Sequence, residues 1–362
     1  FVWNYVPPEN TTYVPDDNFE QALIDLDYDD VLDDYVLTEN ISGVTELNVD
    51  SKEISDLTGI EDFIALTNLH CNNNSLTSLD VSANTALTYL WCYGNQLSSL
   101  VMSSNSALTT LYCNSNLLTS LNVSSNTALT ILHVGWNQLT SLDVSSNTAL
   151  TDLHVGWNSL TSLDVSANTA LTYLYCYGNQ LTSLDVSTNT ALTNLECQNN
   201  QLTSLDVSSN TALTYLWCNN NQLTSLDVSA NTALTSLDCN SNQLTSLDVS
   251  SNTALTYLDC QENELTTLDV SANTALTNLQ CYGNQLTYLN MKNGLTDQID
   301  EFNATSNSLT CIEVLDPSWA SENWTYENGN IDEGVEFSVV CTPEDNYSLS
   351  FDGEDDYVDI PN

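Results

Sequence analysis

The chain repeats itself every 21 residues. From Leu171 it reads LTYLYCYGNQLTSLDVSTNTA, and from Leu192 it reads LTNLECQNNQLTSLDVSSNTA. A fixed period in the twenties confines the fold to stacked units, each of which buries its apolar face only against its neighbours. Cysteines mark the period at Cys71, Cys92 and Cys113. Val134 and Val155 then fill the same slot, and Cys176, Cys197, Cys218, Cys239, Cys260 and Cys281 resume it, which makes eleven turns.

Each turn follows the pattern LxxLxCxxNxLxxLxVxxN. Its first half alternates, with Leu174 and Cys176 on one side and Tyr175 and Tyr177 on the other. The second half does the same, with Leu184 and Val186 inward and Asp185 and Ser187 outward. Period two predicts short strands. A mainly β solenoid follows, with short parallel strands on both faces of a single core. Both halves end in asparagine: one column runs from Asn74 to Asn284, the other from Asn84 to Asn273. Asparagine tolerates tight turns and bonds backbone groups that a bend leaves unpaired, so both columns are expected to be structural.

The pattern LxxLxCxxNxLxxLDVxxN resembles the 21-residue bacterial leucine-rich repeat, in the cysteine-bearing form of internalin-like and Bacteroidetes surface proteins. The resemblance covers roughly two thirds of the chain and implies a leucine-rich-repeat solenoid with caps. It does not name a ligand, because a scaffold is not a site.

Charge narrows the function. Asp and Glu number 48 against 2 Lys and no Arg, for a net charge of −46. Nucleic acid needs cationic side chains against phosphate, and an anionic membrane surface needs the same, so both are excluded as partners. No run of about 18 apolar residues predicts membrane insertion, and no leader pattern is visible at Phe1, as expected of a mature or trimmed piece. Of the eleven cysteines, nine stand in the inward column. Valine replaces them there, so they read as small apolar filler, and side chains that point the same way in register suit a disulfide poorly. Cys311 and Cys341 remain, and a disulfide between them is predicted, which fits an extracellular or cell-surface protein.

Five segments are expected: a linker over 1–14, an N-terminal cap with a degenerate first repeat over 15–65, the array over 66–289, a C-terminal cap over 290–343, and a further module from 344. In the first cap, Asp17 and Glu20 read as a capping box, opening a helix with Phe19, Leu23 and Leu26 on one face. Asp25, Asp27, Asp29, Asp30, Asp33 and Asp34 then crowd one loop. Their spacing hints at a calcium loop. However, the sixth-position glycine is absent and Val36 stands where a bidentate Glu belongs, which favours a solvated acidic loop. In the second cap, residues 316–324 read as a loop that lays Trp319 and Trp324 over the core. Residues 347–362, YSLSFDGEDDYVDIPN, resemble the opening strands of a laminin-G or concanavalin-like domain, which implies that the natural polypeptide continues.

The outward columns of the first strand carry the variation. Between Leu and Cys stand His70, Trp91, Tyr112, His133, His154, Tyr175, Glu196, Trp217, Asp238, Asp259 and Gln280, and beside them Tyr89, Tyr93, Trp136, Trp157, Tyr173, Tyr177, Tyr215, Tyr257 and Tyr282. Variation confined to one face of a constant scaffold marks a binding surface, and Tyr and Trp anchor interfaces. The candidate ligand face is therefore Tyr89, Trp91, Tyr93, Tyr112, Trp136, Trp157, Tyr173, Tyr175, Tyr177, Tyr215 and Trp217. The second strand shows an acidic row instead: Asp143, Asp164, Asp185, Asp206, Asp227, Asp248 and Asp269, with Asp80 before it. Neighbouring carboxylates repel by about 1 kcal/mol even in water. Serine donors, bound calcium or sodium, or lateral packing would each relieve this. No nucleophile–base grouping, phosphate loop or H-E-x-x-H motif occurs, and no cofactor is implied apart from calcium. The sequence thus points to a non-catalytic extracellular adhesion module for a protein or polysaccharide ligand. The alternative is a self-associating subunit of a fibre or surface layer. A third reading, weaker, is the repeat region of a polysaccharide-degrading enzyme whose catalytic part lies elsewhere.

Overall fold

The computed structural model describes residues 9–294 and 296–341. The predicted solenoid is present. Thirteen three-residue strands, from Glu46–Asn48 to Glu301–Asn303, form one parallel sheet in register. Leucine stands against leucine from turn to turn, as in Leu153↔Leu174↔Leu195. The inward Leu, Cys and Val side chains form one continuous buried core. All nine column cysteines are free and buried, and burial pushes the Cys92 and Cys176 thiols up to about 12. The array runs beyond the eleven turns marked by the Cys/Val slot, at the N-terminal end through the expected degenerate first repeat. Glu46–Asn48 and Glu301–Asn303 add a turn at each end, and Asn307 continues the first asparagine column despite a two-residue insertion.

The two asparagine columns tie each turn to the next. Asn179 Nδ2 donates to Cys176 O in its own turn at 3.0 Å and to Val155 O in the turn before at 3.1 Å, and its Oδ1 accepts from Leu160 N at 3.0 Å. The second column lies deeper: Asn189 is fully buried and donates to Val165 O and Asn168 O at 3.0 and 2.9 Å. A third column has no counterpart in the sequence reading. Thr172 Oγ1 donates to Thr151 O at 3.0 Å, and the pattern recurs along the array.

The second side departs from expectation. It forms ladders only near the ends, between Ser78–Asp80 and Ser99–Val101 and among Thr267–Asp269, Tyr288–Asn290, Cys311–Glu313 and Glu336–Ser338. Every central turn is unpaired there, and a groove of about 270 Å³ lies between the Asp143 and Asp164 turns. Charge accounts for most of this. The ladders that form set Asp80 opposite Val101 and Asp269 opposite Asn290, whereas each central aspartate would face another, and like charges directly opposite destabilise a pair. Asn122 is also unpaired, and charge does not explain it.

Both caps differ in detail from the prediction. Residues 11–13, expected to be linker, form β1 (Thr11–Tyr13), antiparallel to β2 (Tyr35–Leu37). Helix α1 (Asp17–Asp25) is capped by Asp16, one residue early: its Oδ1 accepts from Asn18 N and Phe19 N at 3.0 Å. Phe19 and Leu23 are buried as expected, but Leu26 is exposed and Glu20 is buried in its stead. A short helix α2 (Thr38–Ile41) leads into the array. The expected loop at 316–324 is helix α3 (Pro317–Asn323), set by Asp316 as N-cap and proline at the first helical position. Trp324 does cover the core, against Phe302, Trp319 and Phe337. Cys311 and Cys341 form the predicted disulfide. The expected module from 344 lies outside the described residues.

Because each column asparagine satisfies several buried backbone groups, Asn179→Ala is expected to cost about 2–4 kcal/mol. Cys176→Val copies a slot already filled by Val134 and should cost less than about 1 kcal/mol. Urea denaturation of both variants tests this, and comparable losses would show that the core packing, not the amide, holds the turns.

Candidate binding face

The outward column of the paired sheet brings its rings into one file. Ring centroids step from His70 to Trp91 at 4.4 Å, to Tyr112 at 5.6 Å, to His133 at 4.5 Å, to His154 at 5.4 Å and to Tyr175 at 5.7 Å. Strand register explains the file, since each turn places this side chain directly beside the last. Tyr177, Trp136 and Trp157 join from the flanking columns, as does Tyr173 beside Tyr175. Tyr93 lines the cavity described below. Tyr89 and Tyr215 are exposed and make no ring contact among the described residues. Trp217 lies apart, beyond Glu196, with its Nε1 donating to Ser236 at 3.1 Å.

Two turns differ from all others in a way the sequence reading did not use. They carry V-G-W in place of the cysteine and the two residues after it, at Val134-Gly135-Trp136 and Val155-Gly156-Trp157. The last position of this triplet is left-handed throughout the array. Elsewhere it holds Asn73, Gly94, Ser115, Gly178, Asn199, Asn220, Ser241, Glu262 or Gly283, but here it holds Trp136 at φ 52° and Trp157 at φ 54°. A bulky side chain in that region costs about 1–2 kcal/mol, and such strain clusters at functional sites. The glycines make room for the rings: a Cβ on Gly135 would meet the His154 ring at 2.7 Å, and one on Gly156 would meet Tyr177 at 2.8 Å.

Between Trp91, Tyr93, Tyr112, Asn114, His133, Trp136 and His154 lies a cavity of about 410 Å³, within the range that receives a ligand group. Its polar groups are few and fixed. His133 Nε2 meets Asp152 Oδ1 at 3.1 Å, and His154 Nε2 meets the Tyr177 hydroxyl at 2.9 Å. Burial, with the neighbouring His133, pulls the His154 imidazole down to about 4, so it is neutral at physiological pH. The Trp91 Nε1–H is shielded from solvent and donates to nothing among the described residues.

The far half of the same face is acidic. Asn240 Nδ2 bridges Asp238 Oδ1 at 2.8 Å and Asp259 Oδ2 at 3.2 Å. Burial and the adjacent Asp259 push the Asp238 carboxyl up to about 7. The aspartate row on the second side has a different arrangement. Each carboxylate accepts from the backbone N–H two residues on, as Asp185 does from Ser187 at 2.9 Å, and the serine hydrogen bonds hold these carboxyls below the usual range. Among the described residues the row gathers no three carboxylates around one point. Among the described residues, an acidic trio does converge in the N-terminal cap.

Comparison with known proteins places the chain among bacterial leucine-rich-repeat proteins. A family model described as "Leucine Rich repeats (2 copies)" matches residues 190–231 and 211–252. Internalin J of Listeria monocytogenes is 42% identical over 73 residues, 20% of this chain and 8% of that protein, so the match spans a small part of that relative's length. The solved functional domain of InlJ from Listeria monocytogenes, which includes a cysteine ladder, superposes with a TM-score of 0.74 at 35% identity, over 87% of this chain and 79% of that one. A leucine-rich-repeat protein of Leptospira interrogans shares the fold, with a TM-score of 0.65 at 23% identity over 76% and 81% of the two chains.

Two expectations follow for this face. Trp157 is 47% exposed and strained, so Trp157→Asn should leave stability unchanged or raise it by up to about 1 kcal/mol. A loss above about 2 kcal/mol in urea would make the ring part of the scaffold. For Asp238 the folded state holds its proton up to about pH 7, whereas the unfolded chain releases it near pH 3.8. Stability from this group therefore falls as pH rises across that window. Asp238→Asn should stabilise the chain by about 1–2 kcal/mol at pH 8, after allowance for solvent screening, and by nothing at pH 3. Thermal melts at the two pH values check both the sign and the window.

Proposed function

This chain belongs to the internalin-like family of bacterial leucine-rich-repeat proteins, and from that premise we propose that it is a non-catalytic module that holds a protein partner on the aromatic half of its paired sheet. The observation that carries the reading is the pair Trp136 and Trp157. Both are nearly half exposed and both occupy a left-handed position that every other turn gives to a small or polar residue or to Glu. Both indoles pack on one side against the file and leave nearly half their surface to solvent at a cost in backbone strain, and an interface would gain two anchors from them.

Shape favours a protein over a polysaccharide. Sugars stack on flat, open ring faces. Here the rings meet edge-on or tilted around an open apolar depression, which suits an apolar side chain of a protein partner. The proposed site of action is outside the cell. The Cys311–Cys341 disulfide supports this, and among the described residues no helix is long and apolar enough to cross a membrane. The fibre reading draws less support, because the described residues cover both ends of the stack: Phe19 and Leu23 at one end and Trp324 at the other are buried within the chain.

The test is selection of peptides from a random phage-displayed library on the purified chain, with a glycan array run in parallel. Selected peptides should carry an aromatic or large aliphatic anchor and should lose roughly 30-fold in affinity or more on Trp136→Ala. Saturable glycan binding that Trp136→Ala abolishes would replace the protein partner with a polysaccharide. Filaments of the purified chain in electron micrographs would replace recognition with assembly.

A further inference from the structure

The acidic half of the paired sheet carries aromatic rings of its own, and they stand beside its carboxylates. Asp238 lies in register between Trp217 and Asp259, and Ser236 on the same strand lies between Tyr215 and Tyr257. Asp259 is buried, whereas Asp238, Trp217 and Tyr257 are partly exposed and Tyr215 is open to solvent. Ser236 is buried beneath this group and accepts from Trp217 Nε1 at 3.1 Å. The position therefore combines an accessible carboxylate, a second carboxylate beside it, and rings in the turns before and after. Glu196, in register with Trp217 on its other side, adds a further acid whose proton is held by burial.

No cation of this chain reaches that position. The chain contains no arginine and two lysines. Lys52 pairs with Asp25 of the N-terminal cap, and Lys292 pairs with Glu313 on the second side. A counter-charge for Asp238 comes only from another molecule. The surroundings select an organic cation over a metal ion. A hard metal ion takes six or more oxygen ligands, but here Asn240 Nδ2 donates to both carboxylates and occupies the space between them. An ammonium or guanidinium group is held instead by a carboxylate together with a ring face. The place of this group along the stack is fixed too. Five strand steps separate Ile131–His133, at the apolar depression, from Ser236–Asp238. At about 4.8 Å per step this is about 24 Å, the reach of about seven residues of extended chain.

Building on the protein-partner reading of this face, we propose that the partner is basic and lies along the stack: it places a lysine or arginine side chain on Asp238, beside Trp217 and Tyr257, about seven extended residues from the apolar side chain that it seats in the aromatic depression. The aromatic half supplies the anchor and the acidic half decides which anchored segments stay. A net charge of −46 attracts any cation at long range, so the test separates the pairing at Asp238 from that general attraction.

The experiment is calorimetric titration of the full chain with histidine-free peptides taken from the phage selection. The selected sequences should carry a lysine or arginine about seven residues from the apolar anchor. Replacing that cation by glutamine, or Asp238→Asn in the chain, should cost roughly tenfold in affinity at pH 8. Asp185→Asn with Asp206→Asn removes twice the charge from the other side and should cost less than about twofold. The pH dependence gives an independent reading. The groups that face Asp238 are Asp259 and Tyr257 from the following strand, Trp217 from the preceding one and Asn240 on its own. The free chain keeps the Asp238 proton up to about pH 7, and a bound cation requires the ionised form. Wild-type affinity should therefore rise by up to roughly tenfold from pH 6 to pH 8, and Asp238→Asn should abolish the rise. If Trp136→Ala weakens the peptides but they carry no cation at this spacing, lose as much with the Asp185 and Asp206 pair as with Asp238→Asn, or bind equally at both pH values, this proposal falls and the protein-partner reading stands. Peptides indifferent to Trp136→Ala, or a selection that yields none, would overturn both.

Discussion

The amide of a buried asparagine is what lets this chain stack. A turn that bends at its corners leaves backbone groups unpaired inside, and an unpaired buried group costs about as much as a hydrogen bond gains. The Asn179 side chain satisfies its own turn with one hand and the neighbouring turn with the other, and the same bonds recur along the file. The leucine columns are as constant as the asparagines, but the other slots are not. The cysteine slot accepts valine at Val134 and Val155, and the outward slots accept almost anything. A chain anchored this way is free to vary its surface without disturbing its core, which is the property a recognition scaffold needs.

The surfaces divide the charge and the chemistry. The paired side, held strand by strand, carries the aromatic file, the strained indoles and the pocket between them. The other side carries the aspartate row, and there the turns separate wherever acid would meet acid. With a net charge of −46, self-repulsion acts on the whole molecule. The structure bears it by leaving one side unpaired and by bonding each aspartate to its own turn.

Much of this was legible in the repeat. The period fixed the stacking, the alternation fixed which side chains point inward, and the two cysteines outside the column identified the disulfide. The remainder was hidden for physical reasons. Strand propensity on the second side is the same in every turn, so the residues alone did not show that facing charges would keep the ladders from closing. The left-handed slot is a backbone property: Trp136 reads as one more surface aromatic until its φ is known. Asp17, Glu20 and Asp34 are separated by a loop, and only the folded cap brings their oxygens together. Asp17 with Glu20 has the spacing of a capping box, but Asp16 is the cap, and Glu20 turns inward to accept from Asp33 N and Tyr35 N instead of reaching back to the helix start.

The central claim is that the turns are held together along the paired sheet and the asparagine files and are free of one another across the acidic side. Amide hydrogen exchange resolved to single residues tests it within one turn. The amide of Leu202 donates to the Asn221 side chain and that of Cys197 to Trp217 O, and both should exchange only with global unfolding. The amides of Ser204 and Asp206 have no acceptor among the described residues and should exchange orders of magnitude faster. Equal protection on the two sides of a central turn would contradict the account.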